Sequence, residues 1–142
     1  MWHGSSTPIN GALQPRPSRV LNNERAVFAT NQRCIALTFA GAEWTDATMT
    51  LSRFGREEPW YLYENAPGVF DRVYGTRASP RGGYLYQVAE DGFTSDPRLG
   101  MQGTEFVKRA QVPIVATVHI PNLREALEQE RGIVMVEFAA QN

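Results

Sequence analysis

Cysteine is nearly absent from this chain: Cys34 stands alone among 142 residues. No internal disulfide can form, which excludes a disulfide-stapled secreted scaffold, and an Fe–S or structural zinc site lacks its thiolates. Histidine is almost as scarce, with only His3 and His119. Together with Cys34 they make no metal-ligand spacing, so no metal is expected. An excess of one charge is missing too, since 14 basic residues face 15 acidic ones. Capture of nucleic acid or an anionic membrane is therefore not a property of the whole molecule, and only a local basic patch is left for it. No apolar run approaches the roughly 18 residues of a membrane span. Met1-Trp2-His3-Gly4 has neither the basic nor the apolar region of a secretory signal. These absences predict a cytoplasmic chain (host cytoplasm, for a viral protein or an effector) with no membrane partner. The sequence also has no Gly-x-x-x-x-Gly-Lys phosphate loop, no Gly-x-Gly-x-x-Gly dinucleotide fingerprint and no Gly-x-Ser-x-Gly elbow.

What is present suits one domain over residues 1–142, of which 42% are hydrophobic. Three prolines make Pro8 to Arg19 irregular. Ala26 to Ala29 reads as a buried strand, followed by a helix of about ten residues that Asn31 caps and Gly41 ends. Cys34 is a small apolar filler within it. Strands are predicted at Ala47 to Phe54, Pro59 to Glu64, Gly83 to Val88, Thr104 to Lys108, Pro113 to Ile120 and Ile133 to Phe138. Thr76 to Gly82 is a basic loop, and Phe93 to Gly103 is rich in turns. Asn122 caps a second helix that runs to Gly132. Many strands with two short helices make the class α+β, with a mixed or antiparallel sheet. His119, inside the most apolar strand, reads as a structural histidine satisfied by backbone.

Three segments, in this order, carry a family resemblance. Trp2-His3-Gly4-Ser5 resembles the first motif of the ADP-ribosyltransferase superfamily, in its poly(ADP-ribose) polymerase and diphtheria-toxin-like branch. Ala26-Val27-Phe28-Ala29-Thr30, with Ala36 and Phe39 after it, is similar to the second motif, a strand running into a helix that presents an aromatic ring. Gly103-Thr104-Glu105-Phe106-Val107, followed by Ala110-Gln111-Val112-Pro113, is similar to the third, whose strand bears the catalytic glutamate. The resemblance spans most of the chain and implies two small mixed or antiparallel sheets packed face to face. It implies NAD as co-substrate and cleavage of the nicotinamide–ribose bond, by transfer to an acceptor or to water.

Carried over by position, Glu105 is catalytic. His3, named with it, contacts the adenosine ribose, and the Gly4 backbone holds the nicotinamide carboxamide. Ser5 adjoins NAD, and Phe39, or Phe28 if the register shifts, stacks on the nicotinamide. Arg16 and Arg19, which flank the proline-rich loop, read first as solvated loop residues and second as contacts to the NAD pyrophosphate or an acidic substrate. The chemistry fits those residue types, because an oxocarbenium-like transition state needs positioning and one well-placed negative charge. His3 and Glu105 must then face one cleft from adjacent strands, with Gly4 as its floor.

Two departures qualify the carry-over. Val27 or, one residue on, Phe28 stands where the second motif has tyrosine. Gly103 stands where the arginine-modifying toxins carry Glu or Gln. Three function classes follow: an NAD-consuming transferase or glycohydrolase, a catalytically lost member that binds a nucleotide or a protein, and an accessory protein that keeps only the fold. The acceptor is open among protein, nucleic acid and small molecule. Trp44, Trp60, Tyr61 and Tyr63 read as core and rim aromatics, Arg77 and Arg81 as solvated loop residues, and the adjacent Glu57 and Glu58 face opposite ways on a strand.

Overall fold

The computed structural model describes residues 1–40, 59–66, 69–71, 82–100 and 103–137. The strand expected at Ala47 to Phe54, the basic loop from Thr76, and Trp44, Glu57, Glu58, Arg77 and Arg81 lie outside them.

The chain around Ala26 to Ala29 is apolar on both sides, and it forms a central strand, β4 (Arg25–Thr30). Val27 and Ala29 pack on one face with Leu13, Tyr86 and Val112. Ala26, with Phe28 beside it, packs on the other with Leu21, Leu99 and Val107. β1 (Trp2–Ser5) lies between β4 and β7 (Gly83–Gln87), and β10 (Ala116–Ile120) extends the sheet beyond β7. β8 (Glu105–Lys108) pairs antiparallel with β4, as does the two-residue β3 (Arg16–Pro17), which completes six strands. Thr30 registers with both Trp2 and Glu105, so β1 and β8 flank β4 on opposite edges.

A second sheet joins β5 (Trp60–Ala66) to β6 (Val69–Asp71) antiparallel and to β11 (Ile133–Val136) in parallel. β2 (Ala12–Leu13) pairs with β9 (Val112–Pro113). The molecule is thus α+β with largely antiparallel sheets. α1 (Arg33–Thr38) packs on β1 and β4, and α2 (Leu123–Gln129) packs on α1 and β11. Both helices share one core with Leu62 and Ile133 of the second sheet and Leu85 of the first.

α2 follows its expectation: Asn122 Oδ1 accepts from the Glu125 N–H, and Leu123 and Leu127 bury one stripe. Gly132 follows its end at φ +86°. α1 is shorter than expected. Cys34 to Thr38 are all buried, Thr38 Oγ1 donates back to the Ile35 carbonyl, and Phe39 closes the helix. Asn31 does not cap it. Gln32 holds the cap position but its side chain makes no capping bond, accepting instead from the Trp60 indole N–H at 2.8 Å, while Asn31 is turned toward β8. The proline-rich stretch after Pro8 holds β2, β3 and the start of a 3₁₀ turn (Arg19–Leu21), with Pro17 in the short β3. The single strand expected at Pro113 to Ile120 is broken at Ile114 and Val115, whose N–H groups bond the Gly11 and Gln87 carbonyls. His119 is exposed beside the Tyr84 ring, 5.2 Å between centroids, rather than satisfied by backbone within a core.

Candidate functional site

Backbone alternation along β1 creates the site. Met1 and Val88 exchange both their N–H···O bonds, so His3 and Tyr86 form the next hydrogen-bonded pair and Gly4 points its N–H and C=O the other way, toward β4. Pairing between β1 and β4 ends at Trp2 opposite Thr30. Continued by two residues, that ladder would set the Gly4 N–H against the Phe28 carbonyl. The His3 ring takes the carbonyl instead, with Nδ1 donating at 2.6 Å. The imidazole thus occupies the place where β1 and β4 no longer pair, and Gly4, whose N–H and C=O point that way by alternation, lines the opening.

The opening is a cavity of about 320 Å³. Its walls include Trp2, Gly4, Phe28, Ile35, Phe39 and Glu105, with Ser18, Arg19 and Val20 from the 3₁₀ turn. A second cavity of about 290 Å³ shares His3, Ser18 and Phe28 with it and adds Ser5, Gln14 and Arg16. Each is near the lower end of the range for ligand pockets.

Gly4 is the floor of the first cavity. A Cβ there would lie 2.0 Å from the Ala36 carbonyl oxygen, so β1 meets α1 with no room for a side chain. Gly4→Ala is expected to lower stability by about 1–3 kcal/mol and to abolish ligand binding in the cavity. A thermal melt with and without added ligand measures both effects.

Burial, helped by the Arg16 charge, holds the pKa of His3 below its usual value and outweighs the Phe28 bond, so the ring is neutral at pH 7. The Phe28 carbonyl accepts only, which fixes the proton on Nδ1 and leaves Nε2 as an acceptor.

Glu105 is the opposite case. Its Oε2 is buried with no hydrogen-bond partner among the described residues. Burial alone pushes its pKa up to about 7. A desolvated, unpaired carboxyl in an apolar cavity is costly for folding, and such groups mark places where a ligand supplies the missing partner.

The structure brings most of the expected residues together. His3, Gly4, Phe28, Phe39, Arg19 and Glu105 line the first cavity. Ser5 and Arg16 line the second one instead. Arg16 and Arg19 are exposed. β1 and β8 are not neighbours, since β4 separates them, and by alternation His3 belongs to the Tyr86 side of the sheet and Glu105 to the Trp2 side. The gap between β1 and β4 lets the His3 ring reach both cavities. Of Val27 and Phe28, Phe28 is a half-buried ring on the first cavity, while Val27 is buried in the core beside the second.

Trp2 and Thr30 also line the cavity and were missed by motif reading. Arg33, bonded to Glu130, lies over the Trp2 ring at 5.7 Å and fixes its pose. The signal for Trp2 was its place beside His3.

Behind β8, Asp96 accepts from Arg98 at 2.9 and 2.8 Å and from Arg109 at 3.3 Å, and Glu24 bonds both arginines. These bonds, chiefly those from Arg98, hold the Asp96 carboxyl well below the usual carboxylate range and fasten the turn before β8 to the sheet. No His, Cys, Asp and Glu cluster among the described residues has the form of a metal site, and no described helix is long and apolar enough to cross a membrane. No family model, curated protein or solved structure matches this chain.

Proposed function

We propose that this chain is an ADP-ribosyltransferase-like domain that binds NAD and breaks its nicotinamide–ribose bond, with Glu105 as the catalytic residue. The observation that carries the reading is the buried, unpartnered Oε2 of Glu105 in the same cavity as Gly4 and the His3 ring. In this reading nicotinamide enters the first cavity, its carboxamide on the Gly4 N–H and C=O and its ring between Phe28 and Phe39. The adenosine end lies toward the second cavity, where His3 Nε2 accepts from a ribose hydroxyl and Arg16 or Arg19 meets the pyrophosphate.

The bond between C1′ and the pyridinium nitrogen breaks with its electron pair moving onto nicotinamide, which leaves neutral. Glu105, accepting from the ribose 2′-hydroxyl, places negative charge beside the oxocarbenium-like centre. An acceptor nucleophile, or water, bonds C1′ and loses a proton. In this reading the activity belongs to a compartment that supplies NAD, as a cytoplasm does.

Phe28 supplies an aromatic face but no hydroxyl. That favours, as the second reading, a domain that binds NAD without cleaving it. Both readings require stacking. Replacing Phe28 or Phe39 by Ala is expected to weaken NAD binding about 3–10-fold, the equivalent of roughly 0.5–1.5 kcal/mol, with an unchanged far-UV spectrum. Calorimetric titration of NAD into each variant decides this, and affinity equal to wild type in both variants would remove the nicotinamide assignment.

A further inference from the structure

Glu105 raises the question of what aims it. Its Oε2 has no side-chain partner among the described residues, so the backbone of the preceding turn sets its direction. That turn is held from β4. The Asn31 N–H donates to the Thr104 carbonyl at 3.2 Å, and Asn31 Nδ2 donates to the Gly103 carbonyl, also at 3.2 Å. Gly103 has φ +83° and open space where a Cβ would be, so no side chain of its own steadies it. Asn31 directly follows Thr30, which registers with Glu105 at the end of the β4–β8 ladder. Asn31 is itself exposed and contributes nothing to the core.

We propose that Asn31 is a positioning residue for Glu105: its paired main-chain and side-chain bonds close the sheet end and lock the turn that points the carboxyl into the cavity. A single one-residue clamp of this kind explains how an unpaired carboxyl stays inside an apolar wall rather than swinging to water. Asn31→Ala removes the Gly103 bond. Asn31→Asp keeps the shape but turns the donor into an acceptor facing a carbonyl. The kinetic consequence rests on the NAD-cleaving reading; the effect on Glu105 does not.

Two readouts on the full chain test it. With NAD as substrate, both variants are expected to release nicotinamide about 10–100-fold more slowly in kcat, with KM within about twofold of wild type, as for a misaimed group that binds no ground-state substrate. The second readout is the titration of Glu105 itself, followed by NMR of the ¹³C-labelled carboxyl. This resolves it from the other ionisable groups lining the cavity, His3 on β1 and Arg19 in the 3₁₀ turn. The midpoint in Asn31→Ala is expected to fall by roughly one unit as the carboxyl gains water. A midpoint unchanged from wild type, or a loss confined to KM, overturns the proposal. A shifted midpoint in a protein that never releases nicotinamide upholds the positioning role and removes the NAD-cleaving reading instead.

Discussion

Glu105→Gln is expected to make the protein more stable at pH 8, by about 3 kcal/mol, and to raise its Tm by roughly 10 °C. The reason is the cost of an ionised carboxyl whose Oε2 is buried without a partner. Its pKa is about 7 in the folded chain and near 4.5 unfolded, so between those values the folded state holds a proton that the unfolded state has released. Stability is then full below about pH 4.5, falls as the pH rises toward 7, and is flat above. His3 works in the reverse direction, because its depressed pKa makes the unfolded state the better proton acceptor near pH 6. Wild type alone therefore mixes two slopes, and the difference between wild type and Glu105→Gln isolates the carboxyl. Denaturant melts at pH 5, 6, 7 and 8 should show the two proteins converging at the acid end and separating by pH 8. Parallel curves would mean that Glu105 has a partner or water in the native state.

The same substitution should cost activity as sharply as it gains stability. Glu105→Gln keeps shape and hydrogen bonding but removes the charge beside the developing cation. A single preorganised electrostatic group is worth on the order of 10²–10³ in rate, so kcat for nicotinamide release should fall by that factor with little change in KM. His3→Ala should behave differently. In the proposed NAD pose its Nε2 would accept from a ribose hydroxyl away from the broken bond, and loss of the ring would also free the Phe28 carbonyl. The expected result is a KM-dominated loss. Initial rates against NAD concentration for the two variants give the split, and a KM effect for Glu105→Gln with kcat intact would contradict the assignment. Stability gained and activity lost at one residue is the pattern expected of a group placed for function.

Much of this site was legible in the sequence because it is built on strand-borne residues. His3-Gly4 and Glu105 lie in short strands whose neighbours, Tyr84 to Tyr86 and Ala26 to Thr30, have clear apolar patterns. The ordering of the elements follows from those patterns and from the Asn122 cap. What the pattern did not carry is long-range. The insertion of β4 between β1 and β8 depends on which edges pair. The placement of the His3 ring depends on one imidazole N–H standing in for a backbone N–H as the donor to the Phe28 carbonyl. Asn31 read as a helix cap because its type suits that position equally well, and only the approach of Gly103 and Thr104, more than 70 residues away, redirects it. The break of the Pro113 to Ile120 run has the same origin, since Gly11 and Gln87 draw the Ile114 and Val115 amides apart. His119 shares the outward face of β10 with Thr117, opposite Ala116, Val118 and Ile120, so the two-residue alternation carried its exposure even though the strand as a whole reads as apolar.

We propose the cavity shared by Gly4, His3 and Glu105 as a site of NAD cleavage. The direct measurement is incubation of the purified wild-type chain with NAD at pH 8, where Glu105 is ionised, with free nicotinamide quantified by chromatography over time. The account predicts steady release of nicotinamide that depends on protein concentration and falls on the order of 10²–10³-fold in Glu105→Gln. NAD that is bound yet never cleaved, with water or any added acceptor, or a Glu105→Gln rate equal to wild type, would contradict it.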